Sequence, residues 1–309
     1  MNNSRVFLCA LGVSLFLGLS FACGGQPGAA AAPGSGGSAA AAPVAASGRL
    51  FTAAAAQWLY AAPQGSGLNI SGMLGGARLA LNAHDGGFDF PVQYTDGKSG
   101  CTSFTDRHIF NYADQVCVPN PEGGFHPSVG GWGANDGHLV VIDQSRHKYY
   151  EFWKLIVDGS GQPTSTDVGQ VVEGDLSSSD GAPGTTASGL SGLAGDILPG
   201  ELDCDTCLQH ALSVVVPSAL DSPQTGSQAP ARKTDGSVPG AIFRDGAKIR
   251  LDPSFNVDGL QASVAVKAVL HALQRYGAVI TDQTSGNTLG FYSALGRTPD
   301  LSGLQQAAA

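Results

Sequence analysis

Short apolar runs of strand length, separated by Gly, Asp, Asn, Pro and Ser, recur through most of the chain. They read "FDFPVQY" (88–94), "HLVVID" (138–143), "YYEFWKLIV" (149–157), "HALSVVVP" (210–217), "AKIRLDP" (247–253), "GAVITD" (277–282) and "TLGFYSA" (288–294). Each is rich in β-branched or aromatic residues, and the turn-forming residues between them set the spacing of an all-β domain. The fold class predicted is mainly β, an antiparallel β-sandwich of jelly-roll type with one or two helices packed on it. One segment breaks the pattern with a helical period: "VDGLQASVAVKAVLHALQRYG" (257–277) offers Asp258 as N-cap and Gly277 as C′ residue. Val266, Val269, Leu270, Leu273 and Tyr276 form its apolar arc. A second, shorter helix is predicted around "ASGLSGLAG", Ala187 to Gly195. The polar stretch from Gly159 to Gly184 reads as a long surface loop.

The N-terminus changes the picture, because it sets the destination. Arg5 is followed by an apolar run from Val6 to Phe21 that is short for a bilayer span and has the layout of an export signal. The ending "LSFAC" resembles the lipobox of bacterial lipoproteins, which makes Cys23 the lipidation site, although Phe21 stands where a small residue is usual. Simple signal cleavage and release is the alternative; both export the domain. Residues 1–22 are thus a signal peptide and 23–48, almost wholly Gly, Ala, Ser and Pro, a flexible tether. Residues 49–298 form a single domain and 299–309 a disordered tail.

Cysteine usage agrees with export. Beyond Cys9 and Cys23 the chain has Cys101, Cys117, Cys204 and Cys207, an even number suited to an oxidising compartment and paired here as Cys101–Cys117 and Cys204–Cys207. The rival reading of "DCDTC" is half a zinc site or a redox pair, and Asp203 and Asp205 hint at calcium, but a second C-x-x-C and the rest of an EF-hand loop are missing. No H-E-x-x-H spacing occurs, so neither a catalytic metal nor another cofactor is expected. The formal net charge of −9 argues against nucleic acid as a partner and makes a strongly anionic polymer a less comfortable one. The membrane is met only through the lipid anchor, and the protein is expected to be a monomer.

"DGHLVVID…YYEFWK", "TASGLSGLAGDILPGEL", "QHALSVVVP", "TDGSVPGA" and "AKIRLDPS…AVKAVLHALQRYGAVITD" together resemble a group of exported bacterial proteins that share this order of motifs. The resemblance covers about Asp89 to Asp282. It implies a common fold and carries no substrate or activity.

Candidate chemistry concentrates in "NDGHLVVIDQSRHKYYEFWKLIVDG", 135–159. Strands His138–Asp143 and Lys148–Val157 joined by Gln144–His147 make a hairpin whose four-residue turn needs a left-handed residue at His147. That register sets Asp143 opposite Lys148, Val140 opposite Glu151 and His138 opposite Trp153. Leu139, Val141, Tyr150 and Phe152 then share a core face, and His138, Val140, Glu151 and Trp153 an open one, with Asp136 just beyond the strand start. An acid, an imidazole and an indole on an open face suit a sugar ring stacked on Trp153. Glu151 and Asp136 are the candidate carboxyls for glycosidic hydrolysis, with a bulge or a carboxylate from another strand needed to bring a partner within reach of Glu151. His138 is the candidate base for β-elimination. Asp143 and His210 are outer substrate-binding candidates. The same pattern also describes an ordinary solvated strand face. Asp235 in "TDGSVPG" and Asp252 in "LDPS" look like turn formers. Near Ser191 the G-x-S-x-G order of a serine hydrolase fails. The functional expectation is an exported, lipid-anchored protein that cleaves polysaccharide as hydrolase or lyase. The alternative is a non-catalytic surface module that binds glycan or another envelope component.

Overall fold

The computed structural model describes residues 78–81, 89–107, 115–128, 136–177, 181, 183–222, 226–284 and 287–294. The signal, Cys23, the tether, the tail, His84 and His108 lie outside these residues. The chain is mainly β, with a single α-helix among the described residues. Its strands are β1 (Arg78–Leu81), β2 (Val92–Thr95), β3 (Cys101–Asp106), β4 (Val116–Pro119), β5 (Leu139–Asp143), β6 (Lys148–Trp153), β7 (Asp167–Val168), β8 (Gln170–Asp175), β9 (Leu212–Val216), β10 (Lys248–Ile249), β11 (Ala278–Gln283) and β12 (Thr288–Phe291). They form a five-stranded sheet ordered β1-β12-β9-β11-β10, a four-stranded sheet β2-β5-β6-β8 and a three-stranded sheet β4-β3-β7. Pairing is mixed rather than purely antiparallel: β1/β12, β9/β11, β2/β5 and β3/β7 run parallel.

The predicted hairpin register holds, with Val140 opposite Glu151 and Asp143 opposite Lys148. His147 takes φ +54° in the turn. The second strand is shorter than predicted because Lys154 turns left-handed, at φ +62°, and ends β6. Leu139, Val141, Tyr150 and Phe152 pack with Phe104, Val116, Val118, Phe125, Val168 and Val171 in one core. Val140, Ile142 and Tyr149 on the other face pack into a second core with β9, β11 and the helix. Both faces of the hairpin are therefore covered, and the face expected to be open is not.

The stretch expected to be a surface loop, Gly159–Gly184, contains β7 and β8, and β8 pairs along the whole of β6. Its polar composition concealed three buried residues in a row, Gln170, Val171 and Val172. Gly174 faces Tyr149 so closely that any β-carbon there would collide with the ring.

The helix, α1 (Val264–Arg275), starts later than predicted, since Ser263 and not Asp258 caps it by accepting from the Val266 N–H at 3.3 Å. The Asp258 carboxylate instead lies 3.2 Å from His271 Nε2. Gly277, at φ +76°, closes the helix as expected and leads into β11. Of the second predicted helix only a 3-10 turn forms, Gly192–Gly195. No helix among the described residues is long and apolar enough to cross a membrane.

Both disulfides are present, Cys101–Cys117 and Cys204–Cys207, as befits an oxidising compartment. The first closes a loop between residues 16 apart, across the β3/β4 pair. Loop-closure entropy assigns such a link about 3 kcal/mol. A Cys101→Ser/Cys117→Ser double variant should show a correspondingly lower urea midpoint, and an unchanged midpoint would refute that assignment.

Candidate active site

The open end of the hairpin is shaped by Gly137, at φ +53°. A β-carbon there would overlap the backbone of Leu155, so only glycine lets the two segments meet. The contact is sealed by Lys154 N–H donating to Asp136 O at 2.6 Å and Leu155 N–H donating to Gly137 O at 3.2 Å. It sets the Asp136 carboxylate 3.3 Å from Trp153 Nε1, which donates to it, and 3.4 Å from Lys154 Nζ. The Lys154 ammonium also sits 5.1 Å over the Trp153 ring. Asp136 and Trp153 are thus held together at the hairpin mouth.

His138 is nearly sealed, at 6% exposure. Its ring lies 4.1 Å from that of Phe90, and Nδ1 is 3.2 Å from Phe152 O. Burial drives its pKa down to about 4 against the opposing pull of Asp136, so the ring is neutral near pH 7 and donates from Nδ1.

Glu151 is fully buried and holds a loop. Its Oε1 accepts from Thr185 N–H (2.7 Å), Thr185 Oγ1 (2.8 Å) and Gly192 N–H (3.2 Å), and its Oε2 from Ser191 Oγ (2.6 Å). Burial raises its pKa while those four donors pull it back. The loop so fixed makes two further contacts. Ser188 N–H donates to Thr281 O at 2.9 Å, and Ser188 O accepts from the N–H groups of Arg232 and Lys233 at 2.9 and 3.3 Å. Glu151 is therefore linked through 185–192 to β11 and to the segment that carries Lys233.

There the structure places an acid group that the sequence reading passed over. Opposite β9, the register of β11 shifts between Ile280 and Asp282, and such a bulge re-aims the side chain that follows it. The Gln283 side chain clamps the neighbouring segment: its Nε2 donates to Asp235 O at 2.5 Å and its Oε1 accepts from Ser237 N–H at 3.3 Å. The Asp235 and Asp282 carboxyls consequently interact directly. Burial first, then the Asp235 charge and hydrogen bond, lift Asp282 well above the usual carboxyl range, and burial raises Asp235 too. Asp282 keeps a proton that Asp235 accepts. Tyr292 donates to Asp282 Oδ2 at 3.1 Å, and burial and that neighbour push its phenol up as well. Lys233 lies among Asp282, Asp235, Asp106 and Asp245; burial lowers it and those charges oppose the shift. Asp245 is sealed and pushed up to about 7 by burial. Asp235 is exposed and Asp282 and Lys233 are half-buried. The Asp136 charge adds a smaller upward push to the Tyr292 phenol.

The remaining candidates lie elsewhere. Asp143 is fully buried in the hairpin turn, where Oδ1 accepts from Ser145 N–H, Ser145 Oγ and Arg146 N–H, and Oδ2 faces Arg146 at 3.2 Å. His210 is also buried, with Nε2 at 3.1 Å from Glu201 Oε2 and Nδ1 at 2.8 Å from Ala211 O. Burial alone would lower its pKa, but the Glu201 charge and hydrogen bond outweigh it and the net shift is upward. Nearby Asp196 is fully buried with neither oxygen hydrogen-bonded, and burial together with Glu201, Asp89 and Glu151 keeps it protonated. Asp252 forms a turn, accepting from Ser254 N–H at 2.8 Å. Asp205, Asp258 and His271 bring donor atoms within 4.8 Å of one another, but both acids are exposed and the Asp258–His271 hydrogen bond accounts for their approach. Asp235 and Asp282 were missed because one reads as a turn residue and the other as a strand end. The available signal was an acid closing the apolar run "GAVITD".

No family model matches the chain, and neither the curated proteins nor the solved structures give a match.

Proposed function

We propose that the protein is an exported, Cys23-anchored hydrolase that cleaves glycosidic bonds of a polysaccharide with the Asp235–Asp282 pair and the hairpin-mouth residues Asp136 and Trp153. The observation that carries this reading is the proton-sharing pair Asp235–Asp282, to which the buried Tyr292 phenol, itself within the influence of the Asp136 charge, donates. A carboxyl that keeps its proton near neutral pH is a general acid, and Asp235 beside it supplies the negative charge that retains that proton. In the proposed step Asp282 gives its proton to the bridging oxygen as the anomeric C–O bond breaks. Water adds its oxygen to the anomeric carbon and its proton passes to the Asp136 carboxylate. Trp153 offers the apolar ring against which a sugar packs, with its N–H committed to Asp136. Glu151, the leading carboxyl on sequence grounds, becomes a positioning residue that anchors the 185–192 loop.

Release of reducing ends from a polysaccharide panel tests the reading. Asp282→Asn keeps the shape and an acceptor for Tyr292 but removes the proton, so turnover should fall at least about a hundredfold while glycan binding persists. Wild-type turnover in that variant refutes the assignment. Glycan retained by the wild type with no cleavage of any polymer would replace it with the non-catalytic binding module.

A further inference from the structure

We infer that Asp89, Asp196 and Glu201 form a buried binding site for a calcium ion, which ties three segments of the domain together. The site uses none of the residues assigned to glycan cleavage.

Its foundation is a set of oxygens that have nothing to bind. Asp196 is sealed, and neither Oδ1 nor Oδ2 is hydrogen-bonded; Glu201 Oε1 and Asp89 Oδ1 are likewise buried without a partner. Local structure explains how the three acids come to one place. The 3-10 turn Gly192–Gly195 ends at Asp196, whose N–H donates to Leu193 O at 3.4 Å. Phe90, the residue after Asp89, packs its ring on the start of that turn, so closely that a β-carbon on Gly192 would come within 2.7 Å of it. Two residues beyond Asp196 the chain turns again, and Glu201 closes that turn: its N–H donates to Leu198 O at 3.1 Å and its Oε2 accepts from Leu198 N–H at 2.8 Å. Oε2 also meets His210 Nε2 at 3.1 Å, which leaves Oε1 as the free oxygen.

A buried polar atom without a partner costs about 1 to 3 kcal/mol, and native folds retain few of them. Protonation alone does not cure this cluster, because the hydroxyl of a protonated Asp196 would lack an acceptor just as its carboxylate lacks a donor. A cation satisfies every free oxygen with one charge. It also reverses the mutual repulsion by which Glu201 and Asp89, after burial, keep Asp196 protonated. The donors are all oxygen, since both nitrogens of the adjacent His210 are engaged, Nε2 by Glu201 and Nδ1 by Ala211 O at 2.8 Å. Oxygen donors select a hard ion, and a flexible, carboxylate-rich set suits calcium better than magnesium, which demands a near-ideal octahedron and holds its waters. As they stand, the three acids do not bring one oxygen each within 4.8 Å of one another. Like charges spread, and binding draws the side chains inward.

The test is thermal unfolding and calorimetric titration of the mature domain, stripped with EDTA and then given calcium chloride or magnesium chloride. With a Kd near 10⁻⁴ M, as extracellular calcium modules have, 10 mM calcium should raise Tm by about 5 °C or more, and magnesium by much less. Calcium should release protons as it binds, so its affinity should climb with pH. Asp196→Asn should lower the affinity at least about tenfold while matching or exceeding the wild-type Tm in EDTA, because it removes an acid that has no other partner. That opposite response in the two conditions separates ion binding from a merely misfolded variant. Asp258→Ala, which alters the exposed Asp205–Asp258–His271 group, should leave the calcium response unchanged. A Tm that calcium does not move, an equal calcium response in Asp196→Asn, or a response lost only in Asp258→Ala overturns the inference. None of these readouts involves a polysaccharide, so the glycan-cleaving reading stands or falls separately.

Discussion

The folded domain should be more stable at about pH 5.5 than at pH 8, because most of its buried titrating groups prefer the protonated state. Asp245 shows the sign. Its folded value of about 7 lies above the ordinary aspartate value, so its contribution is complete below about pH 4 and is lost as pH rises through 7. Fully lost, that is about 4 kcal/mol. His138 works the other way: its folded value of about 4 lies below the ordinary histidine value, so its contribution is complete above about pH 6.5 and lost as pH falls, up to about 3 kcal/mol. Between pH 5.5 and 8 these two largely offset each other. Asp196 and Asp282, both raised well above the carboxyl range, and His210, raised by Glu201, break the tie in favour of acid. Below about pH 4 the trend should reverse, as the exposed, hydrogen-bonded acids Asp158 and Asp175 are protonated. Urea unfolding across this range checks the shape. Asp245→Asn, which has no charge to bury, should raise the midpoint at pH 8 and flatten the curve. Stability that climbs steadily from pH 5.5 to 8 in the wild type would mean that these carboxyls are ionised in the fold.

What the sequence disclosed depended on how local the determining physics was. The hairpin register followed from alternation and one turn residue, and His147 took the predicted left-handed conformation. All seven apolar runs contribute strands, and Gly277 ends the helix. The errors come from packing between distant segments. Alternation showed that Glu151 and Leu139 lie on opposite faces, but not that a loop some 40 positions away covers the Glu151 face. β8 escaped because a strand buried by its neighbours needs little apolar length of its own. The acid pair was least legible of all. Asp235 and Asp282 are far apart in sequence, and their approach depends on a glutamine clamp and a bulge, neither of which has a strong sequence mark.

Glu151→Ala should be among the most damaging single substitutions in the domain, while Glu151→Gln should be mild in stability and informative in function. Removing the carboxylate leaves four donors without an acceptor: Thr185 N–H, Thr185 Oγ1, Gly192 N–H and Ser191 Oγ. Breaking a buried, charge-assisted group of this kind costs about 3 to 5 kcal/mol, and the vacated volume adds to it. Glutamine differs because the load is uneven. Oε1 carries three of the four bonds, and an amide oxygen can take its place; only Oε2 becomes an NH2, facing a serine hydroxyl that can rotate to accept. The expected loss for Glu151→Gln is therefore about 1 kcal/mol. Function separates this positioning role from a catalytic one. The anchored loop reaches Lys233 through Ser188 O and β11 through Thr281 O, so Glu151→Gln should leave turnover within roughly tenfold of wild type and keep the pH–rate profile, whereas Asp282→Asn abolishes the alkaline limb. Loss of the alkaline limb in Glu151→Gln, in a protein that unfolds at a near-normal urea concentration, would return the proton chemistry to Glu151 and strip Asp282 of its role. A destabilised Glu151→Ala variant whose fold is rescued by Ser191→Ala, which removes one stranded donor, would confirm that the carboxylate's task is to satisfy this loop.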